Sequence, residues 1–284
     1  MIIAVFPTDY FPQSFEIAKQ INTFLTEKGV TVAAEKGVSH LIGCTSLDTL
    51  SIDDIDFMIS MGGDGTILRL YNKYCGAKAA IFGINLGHLG FMANIPVAEI
   101  FPALEHLLEG NYTIHKRIVL TGSSPSKKKY LAVNDFTIHR GQKQGLVEIS
   151  IYVDKMYMNT YIADGIIIAT PNGSTAYSLA AGGPILSPGL DAVVITPICA
   201  HTISNRPFVL TASHEITLKY ESASEPIEVR ADGLDHFMMH PQEEFKIKKS
   251  PKTFPLLSFP DKDYFYTLRT KLGWSGASFK HFKK

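Results

Sequence analysis

The chain has 284 residues, enough for one large domain or two moderate ones, and 45% hydrophobic residues can fill a substantial core. Lys and Arg number 27, as do Asp and Glu, so there is no net charge to gather nucleic acid or anionic lipid, and small ligands are the expected partners. Cys44, Cys75 and Cys199 include no CxxC pair, which argues against a disulfide framework or a structural zinc site and for a reducing compartment.

The opening Met1-Ile2-Ile3-Ala4-Val5-Phe6 lacks a basic n-region and a cleavage site, and no apolar run approaches the span of a bilayer. A cytoplasmic protein with no membrane contact is expected. Ile2 to Phe6 reads as the first strand. From Gln13 to Lys28, Ile17, Ile21, Phe24 and Leu25 share a helical face, with Gly29 as the C-terminal stop. Val30 to Ala34, Phe57 to Met61 and Ala79 to Ile84 read as further strands. Between the last two, Ile67, Leu68, Leu70 and Tyr71 have helical spacing, and Val97 to Glu109 gives another helix before Gly110. Strands alternating with helices predict an α/β domain with a mostly parallel sheet over residues 1–112.

After Tyr112, short strand-like runs separated by polar turns predict a β-rich, antiparallel sandwich-like domain over residues 113–258. Its strands are Tyr130 to His139, Val147 to Val153, Met156 to Ala163, Ile216 to Tyr220 and Ile227 to Ala231, with one short helix near Thr175 to Ala181 and a basic hairpin turn at Ser123 to Lys129. The tail 259–284, helical over Tyr264 to Leu272, is expected to pack back on the first domain.

Three segments carry chemistry. Met61-Gly62-Gly63-Asp64-Gly65-Thr66 lies where a buried strand ends and a helix begins, where glycines let backbone approach a polyphosphate and helix N-terminal amides face anionic oxygens. Asp64 would repel phosphate, so it needs another reason: holding magnesium or accepting a hydroxyl proton, both of which suit phosphoryl transfer. An ordinary Gly-Asp-Gly turn fits as well. The pattern is neither GxxxxGK[ST] nor GxGxxG. In the second segment, the Asn134-Asp135 pair could read a nucleoside, the carboxylate accepting from a ribose diol and the amide donating and accepting, although Asn-Asp is also a common turn or bulge. In the third, Asp164 to Ser178, an apolar strand enters Thr170-Pro171-Asn172-Gly173-Ser174-Thr175 and then a helix with Ser174 or Thr175 as its cap. Tyr177 offers an aromatic wall and Asp164 an acceptor for an exocyclic amine, while a capped helix after a Pro-Asn-Gly turn is the plain alternative. The 10 histidines include no HExxH, and no GxSxG elbow is present.

Taken together, Gly62 to Thr66, Asn134-Asp135, Asp164 through Tyr177 to Gly182-Gly183-Pro184-Ile185, and Cys199 to Pro207 resemble the ATP-NAD kinase family, in its order and over nearly the whole chain. The resemblance implies a Rossmann-like α/β first domain and a β-rich second one, and phosphoryl transfer from ATP to the adenosine ribose 2′-hydroxyl of NAD, with NAD in a cleft between the two domains, magnesium carried by ATP, and a homo-oligomer, dimer or tetramer. It implies Asp64 as the base or metal-linked carboxylate beside the hydroxyl. Gly62, Gly63, Gly65, Thr66 and Arg69 would hold the donor phosphates, Gly65 also touching NAD, and Asn134 and Asp135 would face a ribose. Asp164, Asn172, Thr175, Ala176, Tyr177, Ser178, Leu179 and Ala180 would surround adenine, with His201 coming from a loop or neighbouring subunit. Two positions depart from the family: the pair is more usually Asn-Glu, and Leu234 follows Asp232-Gly233 where many relatives carry glutamine. A lipid kinase sharing GGDG would need an apolar channel or membrane-docking surface, and no basic amphipathic segment supplies one. A non-catalytic dinucleotide sensor leaves Asp64 without a purpose.

Overall fold

The computed structural model describes residues 1–141, 145–202, 204–222, 225–260 and 264–274. The chain forms two units, Met1–His115 with the described part of Pro255–Lys284, and Lys116–Phe254. In the first unit β1 (Ile2–Phe6), α1 (Gln13–Glu27), β2 (Thr31–Ala34), α2 (Lys36–Ile42), β3 (Thr45–Ser46), β4 (Phe57–Gly62), α3 (Asp64–Lys73), β5 (Ala80–Asn85), β6 (Ala93–Pro96) and α4 (Ile100–Leu108) follow in order. The strands lie side by side as β3-β2-β1-β4-β5, all parallel, with β6 also parallel to β5. α1 buries Ile17, Ala18, Ile21 and Leu25 along one stripe against the sheet, each large side chain stabilising by roughly 1.5–3 kcal/mol. It stops at Gly29, whose φ of 77° is left-handed. The helix expected from Val97 begins as a single 3₁₀ turn, Val97–Glu99, before α4.

The second unit opens within β7 (Thr113–Ser123) and continues through β8 (Lys129–Ala132), β9 (Asp135–His139), β10 (Val147–Val153), β11 (Met156–Ala163), β12 (Gly165–Ala169), α5 (Tyr177–Ala180), β13 (Ala192–Ile198), β14 (Phe208–Thr211), β15 (Ile216–Tyr220), β16 (Ile227–Ala231) and β17 (Asp235–Met239) into β18 (Glu244–Ser258). One sheet runs β14-β13-β12-β9-β16-β17, antiparallel throughout. The other contains β11-β10-β15-β18. Their facing side chains share one core, in which Phe136 and Phe245 meet edge to face at 5.1 Å between centroids, so this unit is a sandwich. The opposite face of β12 and β13, carrying Ile167, Ala169, Val194 and Ile198, is covered with help from Leu186. The end of β18 returns to the first unit, Leu256 lying beside Ile81 of β5, and α6 (Tyr264–Leu272) follows it. There Lys271 Nζ donates to Leu89 O at 2.7 Å. Residues 261–263 and 275–284 of the tail, and Ile203 of the Cys199 to Pro207 segment, lie outside the described residues.

Two expectations need correction. The strand read over Tyr130 to His139 is two strands, because the Val133 and Asn134 N–H groups are bound by the Asp232 carboxylate and not by a ladder. The helix near Thr175 to Ala181 shrinks to the four residues of α5 after a 3₁₀ turn, Gly173–Thr175. Neither Ser174 nor Thr175 caps it: their hydroxyls donate to Pro171 O at 2.6 Å and Asn172 O at 3.1 Å, tying the turn to itself.

Candidate active site

The chain passes from β1 to β2 on one side and then to β4 on the other, so the topological switch lies between the carboxyl ends of β1 and β4, where parallel sheets bind ligands. Gly62-Gly63-Asp64-Gly65-Thr66 begins there. Gly63 precedes α3 with no side-chain cap, and a Cβ at Gly63 or Gly65 would meet no protein atom within 4 Å. Packing therefore does not call for glycine at either position; the bare backbone leaves room for a ligand at the helix N-terminus. Beside it a pocket of about 180 Å³ is lined by Pro7, Thr8, Thr66, Arg69 and Lys73. Arg69 is exposed, its guanidinium 5.6 Å from the Tyr10 ring centroid, and Lys73 pairs with Glu35 at 2.7 Å. The Arg69 guanidinium, little more than one turn into α3, suits a polyphosphate at the helix N-terminus, whereas Lys73 is the last residue of α3 and is neutralised by Glu35.

Asp64 has an attachment that the sequence did not suggest. Its Oδ1 accepts from the N–H groups of Met92 and Ala93 at 3.0 and 2.8 Å, and its Oδ2 from that of Phe91 at 2.9 Å. The carboxylate thus anchors the turn leading into β6, and a Cβ on Gly90 would fall 2.1 Å from Oδ1. A carboxylate offers about four acceptor positions, so the three amides leave one, on Oδ2, for a hydroxyl or a cation.

In the second unit Asn134 and Asp135 sit where β8 gives way to β9. Asp232, in the β16–β17 turn, accepts from the N–H groups of Val133, Asn134 and Asp135 at 2.8, 2.7 and 3.1 Å. Thr170 closes the other side, its N–H donating to Asn134 O at 2.8 Å and its hydroxyl to Val133 O at 2.6 Å. Gly173 presses against the same peptide, and a Cβ there would lie 2.2 Å from Asn134 O. Arg117 Nη1 donates to Asn172 Oδ1 at 2.6 Å and Asn172 Nδ2 to Asn134 Oδ1 at 2.6 Å. Asp135 is buried; burial pushes its carboxyl up to about 6 against the hydrogen bond from the Thr137 hydroxyl. Burial pushes Asp232 up to about 7, opposed by the three backbone donors and reinforced by the Asp135 charge.

Asp164 Oδ1 accepts from Arg140 Nε at 2.7 Å in a half-buried ion pair, so an exocyclic amine would meet a carboxylate already engaged on one oxygen. Tyr177 is exposed and lines a pocket of about 890 Å³ with Thr137, His139, Arg140, Glu228 and Arg230. Thr175, Ala176 and Leu179 are half-buried and Ala180 is exposed on the same turn. Ser178 faces inward, fully buried, its hydroxyl 2.8 Å from that of Thr196. His201 is exposed, its N–H donating to Ile162 O at 2.9 Å. Asn134, Asp135 and Asn172 are therefore brought together, and Asp64 stands at the glycine loop of the other unit. Sequence reasoning missed Arg117, Arg140 and Asp232 as participants. Of these only Asp232 had a local signal, as the first residue of an Asp-Gly turn.

Residues 3–112 match the ATP-NAD kinase N-terminal domain and residues 133–259 the ATP-NAD kinase C-terminal domain. The chain belongs to the ATP-NAD kinase family. It is 48% identical over 275 residues to the NAD kinase of Protochlamydia amoebophila (strain UWE25), covering 97% of this chain and 99% of that protein. It is 36% identical to the NAD kinase of Geotalea daltonii (strain DSM 22248 / JCM 15807 / FRC-32), covering 96% and 98%. Among solved structures, an NAD kinase from Archaeoglobus fulgidus in complex with ATP superposes with a TM-score of 0.77 at 26% identity, covering 97% of this chain and 99% of that one. Yeast NADH kinase complexed with NADH has the same fold, with a TM-score of 0.86 at 24% identity, covering 100% and 90%.

Proposed function

We propose that the chain transfers the terminal phosphoryl group of ATP to the 2′-hydroxyl of the adenosine ribose of NAD, giving ADP and NADP. The observation that carries this reading is the near-full-length identity of 48% to an NAD kinase, coupled with a glycine loop and a carboxylate at the switch point of the parallel sheet. The Gly65 amide and the Thr66 side chain, with Gly62, Gly63 and Arg69, hold the donor phosphates, the Thr66 N–H itself being bound to Gly63 O at 2.9 Å. Asn134 and Asp135 face a ribose, Asn172 and the buried Ser178 support the site from behind, and Asp164, Thr175, Ala176, Tyr177, Leu179, Ala180 and His201 surround the rest of the dinucleotide. The remaining acceptor position on Asp64 Oδ2 receives the 2′-hydroxyl, orienting it for in-line attack. The phosphoryl transition state is usually loose, so orientation counts for more than proton abstraction. Magnesium is taken to arrive with ATP, its charge carried on the donor phosphates.

A homo-oligomer is supported by the edge strands β11 and β14, which expose Met156, Tyr157, Phe208 and Val209. Among the described residues no helix is long and apolar enough to cross a membrane; a cytoplasmic site of action is proposed separately, from Cys44, Cys75 and Cys199, which include no CxxC pair and suit a reducing compartment.

The test incubates the protein with magnesium, ATP and NAD and measures NADP with a specific dehydrogenase. NADP should form, and Asp64→Asn should slow it by about 100-fold or more. No NADP from the parent overturns the activity. A near-parental rate from Asp64→Asn overturns the role of Asp64 alone.

A further inference from the structure

We infer that Arg117 fixes, through Asn172, which end of the Asn134 amide faces the dinucleotide, so that this position can only donate a hydrogen bond to the ligand. The inference rests on the proposed NAD site and assigns two positioning residues within it. A guanidinium has N–H donors and no acceptor, so the Asn172 atom 2.6 Å from Arg117 Nη1 must be its oxygen. The Asn172 amide nitrogen then points the other way, and the Asn134 atom 2.6 Å from it must accept, which makes that atom Oδ1. Asn134 Nδ2 has no protein acceptor among the described residues. The peptide beneath it is held by Asp232, by Thr170 and by the close approach of Gly173, which leaves rotation of the amide itself, set by Asn172, as the one way to exchange its ends. Asn172 is only 8% exposed with both ends of its amide engaged within the protein, which suits positioning rather than contact. Without Arg117 the two amides could pair equally well either way round, because each carries a donor and an acceptor.

The decisive variant is Asn172→Asp. A carboxylate there keeps the Arg117 contact as an ion pair but can only accept, so it captures Asn134 Nδ2 and turns Oδ1 toward the ligand. NAD titrated calorimetrically into the full-length protein should bind about tenfold or more weakly, while the melting temperature stays at or above that of the parent. In an Asn134→Ala background the same change should alter Kd by less than about twofold, since the relay then has nothing to turn. Arg117→Lys, also donor-only, should leave Kd unchanged, and Arg117→Met should raise it about twofold as half the molecules present the wrong end. An equal penalty for Asn172→Asp in both backgrounds, or an Arg117→Met titration identical to the parent, overturns the inference. A parent that makes no NADP overturns the reading beneath it, a result distinct from either of these.

Discussion

Replacing Asp232 by asparagine separates two effects of one carboxylate. Asparagine keeps Oδ1 for the Asn134 and Asp135 N–H groups, which already share it, but turns an NH2 toward the Val133 N–H in place of Oδ2. A donor facing a donor at a residue 1% exposed costs about 1–3 kcal/mol. Against this stands the relief of a buried charge, since Asp232 is pushed from 3.8 up to about 7 by burial. With the folded value above the unfolded one, the folded protein holds a proton that the unfolded chain releases. This contribution to stability is fully present below about pH 4 and is lost as pH rises through about 7. At about 1.4 kcal/mol per unit, the interval from about pH 5 to 7 removes about 3 kcal/mol from the parent, and the loss levels off above it. Urea unfolding should therefore find Asp232→Asn less stable than the parent by about 1–3 kcal/mol near pH 5, and equal to it or more stable near pH 8. Asp135 titrates in both proteins and largely cancels in the difference. A difference that stays constant across this range would mean that Asp232 does not change protonation there, and the burial argument would be refuted.

Gly173→Ala drives a Cβ to 2.2 Å from Asn134 O, where the obstacle is backbone; a loss of about 1–3 kcal/mol by thermal melting and weaker NAD binding are expected. Gly90→Ala places a Cβ 2.1 Å from Asp64 Oδ1, so NADP formation should fall about tenfold or more as the carboxylate shifts, with kcat more affected than the KM for NAD. A variant with parental kcat would separate the Gly90 approach from catalysis. Because burial raises Asp135 to about 6, its carboxyl becomes neutral below that pH and no longer presents two acceptors to a ribose. The KM for NAD should rise as pH falls from about 7 to 5, which steady-state kinetics across that range can check.

Periodicity alone was enough for most of the first unit. Ile17, Ile21 and Leu25 give α1 without help from the rest of the chain, and the buried runs of β1, β4 and β5 are read directly. Short or mixed elements were not: β3 has two residues, and β18 was overlooked although Phe245 and Ile247 alternate with Glu244, Lys246 and Lys248. In the second unit the broken strand at Val133 was invisible because its cause, the Asp232 carboxylate, lies 99 residues away.

The sequence by itself determined the architecture of both halves, the glycine loop at a strand-to-helix junction and the identity of Asn134 and Asp135 as polar groups in an apolar run, because these depend on local spacing and composition. Tertiary structure alone decided that Asp64 holds the Phe91 to Ala93 backbone, that Asp232 clamps the Asn134 turn, and that Arg117 orients an amide two residues removed from it in the hydrogen-bond chain. Each of these joins residues more than 25 positions apart, and a hydrogen bond at that separation depends on where packing brings the chain, which no local pattern encodes.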